Sequence, residues 1–461
     1  MKAIRIVAAA AALAALGAGV AHAGAAAGNP SQAELLQRIE QLEAEVKELK
    51  KDARKLEASD DTRASSKPVA GYKDGFFLAT EDGRYKLNVD GYVQADSRWS
   101  VDNGDDPSVD QFSIRRARLD IRGTLADRFD FRFQPDFAGS QVVLQDAYLD
   151  GRFAPWAVTR LGKFKTPFGL EQLQADSNRV FLESSLVDNL TPNRDVGAQL
   201  YGDFQHGAFT YQLAVLNGVP DGTSGDTDFN DAVDVAARVF ALPLRNTTVV
   251  PLRGLGLGVA ATAGREQGTA SSPQLPSFRT SSRNTYFKYS ADSPSTSAAT
   301  TVANGDHWRV MPQGYYYYGP FGSMFEYGVS NQELLKGATK GDTQNTAWQL
   351  RAQWLLTGEA ATYDVLVPSH DFNFGHGGWG AWEVALRYAE LHVDGDTFTK
   401  GFADPTKSVS QIDSITAGLN WYLNRNIKLM FDYEHSTFDK GSKTGDRDPE
   451  DVFLTRAQFW F

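Results

Sequence analysis

Apolar and polar residues alternate with a period of two from Tyr72 to the end of the chain, and no helical period interrupts that alternation. In residues 348–354, for example, Trp, Leu and Ala at every second position alternate with Gln and Arg. Successive side chains of a β-strand point to opposite faces, so this pattern is typical of strands with one apolar and one polar face. The alternation recurs in residues 112–125, 129–134, 233–239, 382–388, 427–434 and 453–461. The sequence therefore predicts an all-β fold for residues 71–461.

Three features of these segments favour a transmembrane barrel over a soluble sandwich. The segments are about 10 residues or longer, which is the length of a tilted membrane-spanning strand. Tight turns such as 319–322 and 424–426 alternate with long polar loops such as 266–284 and 436–450, as in outer-membrane barrels. Aromatic residues also cluster near segment ends, where interfacial girdles are expected. They are Trp379, Trp382, Trp421, Tyr422 and Trp460.

An open sheet edge in lipid would leave backbone N–H and C=O groups unpaired, so the sheet is expected to close on itself. At roughly 45–50 residues for each pair of strands with its loops, residues 71–461 suffice for about 16 antiparallel strands. Barrels of this size enclose a water-filled channel. We therefore predict an all-β transmembrane barrel around an aqueous pore.

The first 70 residues are organised differently. Residues 1–23 combine two basic residues, an uncharged apolar stretch and an Ala-His-Ala site, which predicts a secretory signal peptide rather than a membrane anchor. Residues 24–58 carry an apolar seam with alternating spacings of four and three, which predicts a short α-helical coiled coil. The seam residues are Leu35, Ile39, Leu42, Val46, Leu49, Ala53 and Leu56. A single charged helix lying on another domain is the alternative, and residues 59–70 are interpreted as a linker.

The composition excludes several classes of function. The chain has no cysteine, which removes disulfides, thiolate metal sites and cysteine nucleophiles. Its net charge of −11 argues against nucleic acid as a partner, because a phosphate polyanion would be repelled. His370 and His376 lie in a glycine-rich segment without the helical spacing of a zinc site, and no P-loop or nucleophile elbow is present. We therefore expect no enzyme activity, no cofactor and no metal site.

Four stretches of the chain resemble one protein family. They are 112–123 (FSIRRARLDIRG), 146–149 (DAYL) with 161–171 (LGKFKTPFGLE), 356–359 (LTGE), and 418–424 (GLNWYLN) with 456–461 (RAQFWF). Together they make the chain similar to the phosphate-selective porins O and P of Gram-negative outer membranes. The resemblance implies a 16-stranded trimeric barrel, an extracellular loop folded into the lumen, and passive diffusion of anions past rows of Arg and Lys. It also implies that the terminal Phe461 is read by the barrel-assembly machinery.

Parity along the alternating segments assigns a set of arginines to the polar, lumen-facing side. They are Arg116, Arg118, Arg122, Arg132, Arg238, Arg351, Arg387 and Arg456. Arginine suits an oxyanion because its planar guanidinium donates two parallel hydrogen bonds. Charges in a low-dielectric wall also raise the local concentration of counter-ions. The alternative is that these arginines only brace the wall by pairing with acids such as Asp120, Asp130, Asp234 and Glu383.

The resemblance places a constriction loop at about residues 166–194. Its bases are Lys163, Lys165, Arg179 and Arg194. Its acids are Glu171, Asp176, Glu183 and Asp188. Between Thr166 and Arg194 the acids exceed the bases by two, which predicts a weaker anion preference unless the acids face away from the path. Further acids in residues 102–110 and 221–231 are interpreted as solvated outer loops, with divalent cations bridging them to lipopolysaccharide as the alternative.

The predicted function is passive diffusion of small anions, such as phosphate or polyphosphate, through the Arg-lined channel of a homotrimer. The barrel is expected in the Gram-negative outer membrane, in contact with its lipid and lipopolysaccharide, with the N-terminal segment in the periplasm. Three alternatives remain open. They are a general or sugar-accepting porin with weak ion selectivity, a barrel enzyme for which no triad spacing argues, and a structural tether whose coiled coil reaches the cell wall.

Overall fold

The computed structural model describes residues 68–102, 110–227, 231–291 and 299–461, together with Gln37 and residues 40–44, 46–48 and 50–51. The described residues between Gln37 and Lys51 are helical. A helical conformation does not show association, so the coiled coil over residues 24–58 stays a prediction. The predicted signal peptide and most of the predicted linker lie outside the described residues. No described helix has the length and apolar character needed to cross a membrane.

The chain from Pro68 onward is dominated by β-strands. They are β1 (Val69–Tyr72), β2 (Phe76–Ala79), β3 (Lys86–Asp102), β4 (Gln111–Leu125), β5 (Phe129–Asp136), β6 (Val143–Ala154), β7 (Ala157–Lys165), β8 (Arg194–Phe204), β9 (Phe209–Leu216), β10 (Asp234–Ala241), β11 (Leu255–Gln267), β12 (Ser277–Arg279), β13 (Thr285–Lys288), β14 (Val302–Tyr318), β15 (Phe321–Lys336), β16 (Thr339–Leu355), β17 (Ala381–His392), β18 (Val409–Tyr422), β19 (Ile427–Ser442), β20 (Gly445–Asp446) and β21 (Glu450–Trp460). Two short α-helices, α1 (Leu170–Leu173) and α2 (Asp396–Thr399), and 3-10 turns at Asp176–Asn178, Leu186–Leu190 and Val250–Gly254 lie in the connections.

Sixteen of the described strands, β3–β11, β14–β19 and β21, form one closed antiparallel barrel. The ring closes where β21 pairs with β3, so that Trp460 lies opposite Tyr92. This confirms the predicted barrel of about 16 strands. The hairpin of β1 and β2 continues the sheet beside the start of β3. Val69 pairs with Ala79, so strand structure begins two residues before the predicted boundary at residue 71.

The alternation in the sequence corresponds to the two faces of the barrel wall. On β16, Gln349 and Arg351 are completely buried inside the barrel, whereas Leu350 and Trp354 each expose 49% of their surface on the outside. The same inside–outside order holds on β17, where Glu383 is buried between the half-buried Trp382 and the exposed Val384. The barrel therefore has a polar interior and an apolar exterior, as the period of two predicts.

The two ends of the barrel carry different connections. We define the turn rim by the turns 126–128, 155–156, 205–208, 319–320 and 423–426, and the loop rim by the connections 103–110, 137–142, 217–233, 268–301, 393–408 and 443–449. At the turn rim, Gly319 has a φ of +52°, which glycine adopts without strain, and Pro320 follows it. The chain both enters the barrel through β3 and leaves it through β21 at this rim.

Three connections depart from the predicted rule of short turns at one end and long loops at the other. Connection 337–338 is a tight turn at the loop rim, whereas connections 242–254 and 356–380 are long although they lie at the turn rim. Connection 356–380 is accommodated because it folds inward. The hydroxyl of Tyr363 donates a hydrogen bond of 2.6 Å to the carbonyl oxygen of Leu170, and Leu366 is buried against the wall.

The loop-rim half of the interior contains its own apolar core. The hairpin of β12 and β13 and the chain beside α2 pack there against the 3-10 turn at Leu186–Leu190. Phe278, Phe287 and Phe402 are completely buried in this cluster. Burial of these rings holds chain segments inside the barrel that would otherwise be free loops.

Candidate functional site

Residues 166–193, called here the inward segment, connect β7 to β8 and lie inside the barrel. The backbone N–H of Leu170 donates to the Glu326 carboxylate on β15. The backbone N–H of Leu182 donates to the Asp432 carboxylate on β19 at 2.7 Å. Since β7 and β8 lie on one side of the ring and β19 on the other, the inward segment crosses the lumen.

Asp176 of the inward segment lies at the centre of three arginines, which we call the central arginine group: Arg116, Arg118 and Arg179. Its carboxylate accepts a hydrogen bond from Arg118 and lies 3.1 Å from Arg179 and 3.4 Å from Arg116. Burial alone would raise the pKa of the Asp176 carboxyl, but the guanidinium groups of Arg116, Arg179 and Arg118 hold that pKa well below its usual range. Arg118 also donates to Asp136 at 2.8 Å. Asp176 is therefore ionised at neutral pH within the lumen.

Glu183 pairs with two further arginines nearer the loop rim. Arg98 approaches its carboxylate at 2.7 Å and Arg115 at 2.8 Å. Burial would raise the pKa of the Glu183 carboxyl, but the guanidinium groups, with Arg115 foremost, keep that pKa well below its usual range. Neither arginine was predicted as a pore residue, although Arg98 has the inward parity of its strand.

Arg115 reaches the lumen through a β-bulge. In the pairing of β3 with β4, Arg116 lies opposite Gln94 and Ile114 lies opposite Ala95, so Arg115 has no partner across the ladder. A bulge of this kind re-aims the extra side chain and reverses the parity of the strand beyond it. Simple alternation from Arg116 would therefore assign Arg115 to the outer face, although it lies inside the barrel.

Three of the predicted arginines, Arg122, Arg132 and Arg194, are paired with wall carboxylates. Arg132 lies 2.6 Å from Asp120 and 3.0 Å from Asp146, and Arg194 lies 2.8 Å from Asp146. Arg122 lies 3.7 Å from Asp120, with its side chain partly exposed. These pairs correspond to the bracing alternative, in which lumen charges hold neighbouring strands together.

Arg351, Arg387 and Arg456 also face acids inside the barrel. Arg351 lies 3.6 Å and Arg387 3.8 Å from Glu171 of the inward segment. Arg456 holds Asp96 through two hydrogen bonds of 2.7 Å. Glu171, Asp176 and Glu183 therefore each meet arginines of the wall, and the acidic excess of the inward segment is compensated by the strands around it.

Three predicted bases have other partners. Arg238 donates to Gln313 at 3.0 Å and forms no ion pair with a described residue. Lys163 pairs with Asp226 of connection 217–233. Lys165 donates to two carbonyl oxygens of the inward segment at 2.6 and 2.8 Å, so it fastens that segment to β7.

The acids of residues 221–231 were expected in a solvated loop, and this is wrong for Asp221. Asp221 is buried, where Arg309 and Ser330 donate to its carboxylate. Burial would raise the pKa of Asp221, but the Arg309 guanidinium lowers it to about 2. Asp226 pairs with Lys163 as described above. The connection bends toward the wall because buried bases that sequence reasoning overlooked, Arg309 above all, attract its carboxylates.

Phe461 ends the last strand beside β3. Its N–H donates to the carbonyl oxygen of Gly91 at 3.1 Å, and the N–H of Gly91 donates back to Phe461 at 3.3 Å. A side chain on Gly91 would put its Cβ 2.6 Å from the carbonyl oxygen of Arg118, so the close approach requires glycine. Recognition of Phe461 by an assembly machinery stays a prediction.

Two cavities lie on opposite sides of the inward segment. The loop-side cavity, of about 540 Å³, is lined by seven arginines and three carboxylates. The turn-side cavity, of about 680 Å³, is lined by seven basic side chains and six carboxylates. Arg118, Asp176 and Arg194 line both cavities. The two spaces therefore adjoin at the central arginine group.

Sequence reasoning missed several of the lumen charges. Arg279 and Arg283 line the loop-side cavity from the hairpin of β12 and β13. They lie in a connection rather than in an alternating strand, so the alternation of apolar and polar residues could not show which way their side chains face. Arg309 has the inward parity of β14, and a complete parity reading of that strand would have found it.

Comparisons with known proteins agree with this architecture. The family model for the phosphate-selective porins O and P matches residues 87–461. Porin O of Pseudomonas aeruginosa is 23% identical over 428 residues, covering 84% of this chain and 91% of that protein. The outer membrane channel DcaP of Acinetobacter baumannii has a TM-score of 0.53 at 11% identity, covering 85% of this chain and 100% of that one. The anion-selective porin from Comamonas acidovorans has a TM-score of 0.50 at 13% identity, covering 82% and 100%.

The two solved structures show a likeness of fold alone. The family match carries more, because it begins one residue into β3 and runs to the C-terminus, and so contains every strand of the closed ring. The chain belongs to the family of phosphate-selective porins O and P.

Proposed function

We propose that this porin allows passive diffusion of small anions, with phosphate-like anions as preferred solutes. Family membership points to a channel rather than an enzyme and supports an outer-membrane location. The observation that carries the anion preference is the lining of the loop-side cavity, where seven arginines face three carboxylates. Such an excess of fixed positive charge in a low-dielectric wall attracts anions and repels cations.

The proposed path runs from the loop-side cavity past the central arginine group to the turn-side cavity. Both cavities share Arg118, Asp176 and Arg194, so a solute that crosses must pass these side chains. The inward segment, which fills the lumen there, is the proposed constriction. Guanidinium groups suit a phosphate oxyanion because each can donate two parallel hydrogen bonds.

The same geometry supports a moderate rather than a strong preference. The carboxylate of Asp176 already occupies the centre of the central arginine group. A passing anion must compete with this tethered anion for the same donors. Beyond it, the turn-side cavity is nearly balanced in charge, so the field weakens along the path.

The proposal includes the assembly and orientation that family resemblance implies. We assign the loop rim to the outside, the turn rim and the N-terminal segment to the periplasm, and the complete protein to a homotrimer. Lipopolysaccharide would contact the outer part of the barrel, and the assembly machinery would read Phe461. Chemical cross-linking in native outer membranes should yield a trimer band, and a monomer band alone would contradict that assembly.

A general or sugar-accepting porin is the second candidate, and one observation favours it. The turn-side cavity combines nearly balanced charge with the aromatic side chains of Tyr92, Tyr148 and Trp460. Aromatic faces also suit the apolar faces of sugar rings. This candidate predicts little ion selectivity and block by an oligosaccharide.

Single-channel recording in planar bilayers separates the two candidates. Phosphate added to a chloride solution should reduce the chloride current with saturation, whereas a linear glucose oligomer should leave it unchanged. Arg84→Gln, which removes an exposed arginine outside the lumen, is the matched control and should respond like the wild type. Block by the sugar without block by phosphate would support the second candidate and contradict the first.

A further inference from the structure

An aromatic loop formed by residues 369–379 projects from the turn rim at the end of connection 356–380. Its base is closed by the N–H of Asn373, which donates to the carbonyl oxygen of Gly378 at 3.0 Å. Phe374 at its tip exposes 93% of its surface, and Trp379 exposes 69%. Leaving a large apolar side chain in water forgoes the free energy that its burial would release. Two such exposed side chains on one short loop indicate that the loop contacts an apolar environment.

The loop is fastened to the outer face of the barrel. The ring of Phe372 meets that of Trp421 edge-on at 5.0 Å, and the indole N–H of Trp421 donates to the carbonyl oxygen of Trp379 at 2.8 Å. Trp421 in turn stacks on Trp382 at 4.8 Å, directly across the pairing of β17 and β18. The aromatic loop thus continues a pair of tryptophans at the ends of two barrel strands.

This outer face is the one that contacts lipid. On β17 and β18, Leu386 and Ile415 are exposed on the same side as the two tryptophans, while the polar Glu383 and Asn420 are buried on the other. Trp382 and Trp421 lie where the apolar band ends at the turn rim. Tryptophan at that depth is typical of the membrane–water interface, where the ring meets lipid and the N–H finds a polar partner.

We propose that the aromatic loop is an interfacial anchor that inserts Phe374 and Trp379 among the phospholipid headgroups of the leaflet at the turn rim. The aromatic loop is continuous with the lipid-facing surface of the barrel through Trp421 and Trp382. A second copy of the chain is a poorer occupant, because two aromatic side chains bury about 300–500 Å², whereas a stable interface buries about 1,000 Å² or more. The inference rests on the membrane location and is independent of the proposed anion preference.

The absence of native cysteine allows a direct test in the full-length protein. Phe374→Cys is labelled with an environment-sensitive fluorophore and reconstituted in phosphatidylcholine vesicles that carry a nitroxide either near the headgroup or at the end of the acyl chain. Leu386→Cys, in the apolar band, and Thr444→Cys, in an exposed turn at the loop rim, are the matched controls. Conductance of each variant shows that it folds.

The proposal predicts that the label at position 374 is blue-shifted and is quenched more by the headgroup nitroxide than by the chain-end nitroxide. The label at 386 should show the opposite order, and the label at 444 should be quenched by neither. A label at 374 that behaves like that at 444 would overturn the proposal. So would a blue shift without lipid quenching, together with disulfide cross-linking between two copies of the unlabelled Phe374→Cys variant, which would assign the loop to a subunit contact. Failure of the label at 386 would instead contradict the membrane location itself.

Discussion

The arginines of the lumen fall into two groups that differ in what they face. The central arginine group surrounds the buried Asp176, whereas Arg279 and Arg283 at the loop rim are exposed and form no ion pair with a described residue. The paired arginines hold the inward segment in place, because the carboxylate of Asp176 offsets much of their positive charge. Unpaired arginines contribute to the field that a solute meets in solution. Counting arginines along a pore therefore overestimates its positive field unless each is assigned to one group.

Removing one arginine from the central group should have the largest effect. Arg118→Ala leaves Asp136 and Asp176 without their shared partner inside the barrel. Loss of one member of a buried ion pair costs about 3–5 kcal/mol in the free energy of unfolding. Urea unfolding in lipid vesicles measures this loss, and the zero-current potential should move toward cations in the same variant.

The matched control for stability is Arg84→Ala, which breaks the exposed pair with Asp127 at the turn rim. Its free energy of unfolding should change by about 1 kcal/mol or less, as for surface ion pairs. Equal effects of the two substitutions would show that the central group is no more important to the fold than a surface pair.

Asp176→Asn should have the second largest effect, which appears most directly in selectivity. Because it also breaks a buried ion-pair group, its free energy of unfolding should fall as well. The amide keeps the shape of the side chain but removes the tethered anion, so three guanidinium groups become available to a passing anion. We expect a zero-current potential shifted toward greater anion selectivity and block of chloride current at lower phosphate concentration. An unchanged potential would mean that Asp176 does not compete with the solute.

Arg279→Gln combined with Arg283→Gln tests the unpaired group. The variant should fold with unchanged stability and show a smaller shift of the zero-current potential, toward cations. Because these charges are exposed, the shift should be clear at low salt and should disappear near about 1 M, where the Debye length is about 3 Å. A shift that persists at high salt would show that these arginines bind the solute directly.

Acidification from neutral pH should produce the smallest change, a modest gain in anion preference as Asp188 takes up a proton. Burial, and to a lesser extent the neighbouring Glu171, raise the pKa of Asp188 despite the opposing effect of Arg179. Asp188 therefore takes up a proton before Asp176 and Glu183, whose pKa values are depressed. Its raised pKa also means that its contribution to stability is full below its ordinary pKa of about 4 and is lost as pH rises through the folded value.

Asp188→Asn is the control for this pH dependence. The variant should have the acid-state selectivity already at neutral pH and should lose the part of the pH response that Asp188 supplies. An identical pH response in the wild type and the variant would assign the change to other groups.

The fold was largely predictable because the period of two is imposed by the barrel itself. Residues such as Gln349 and Arg351 must face the interior once Leu350 faces outward, and the predicted strand number followed from chain length. Alternation does not predict the inward side chain of Arg115, because a bulge inserts one residue into β4. Pairing across the lumen, such as that of Asp176 with Arg118, was not predictable, because local sequence does not fix how a connection folds inside a barrel.

The zero-current potential of the wild-type channel in a potassium chloride gradient tests the central claim most directly. The excess of arginines over carboxylates around the loop-side cavity predicts a potential whose sign reports chloride crossing more readily than potassium. A potential of the opposite sign, with potassium as the preferred ion, would contradict the assignment of this porin to anions.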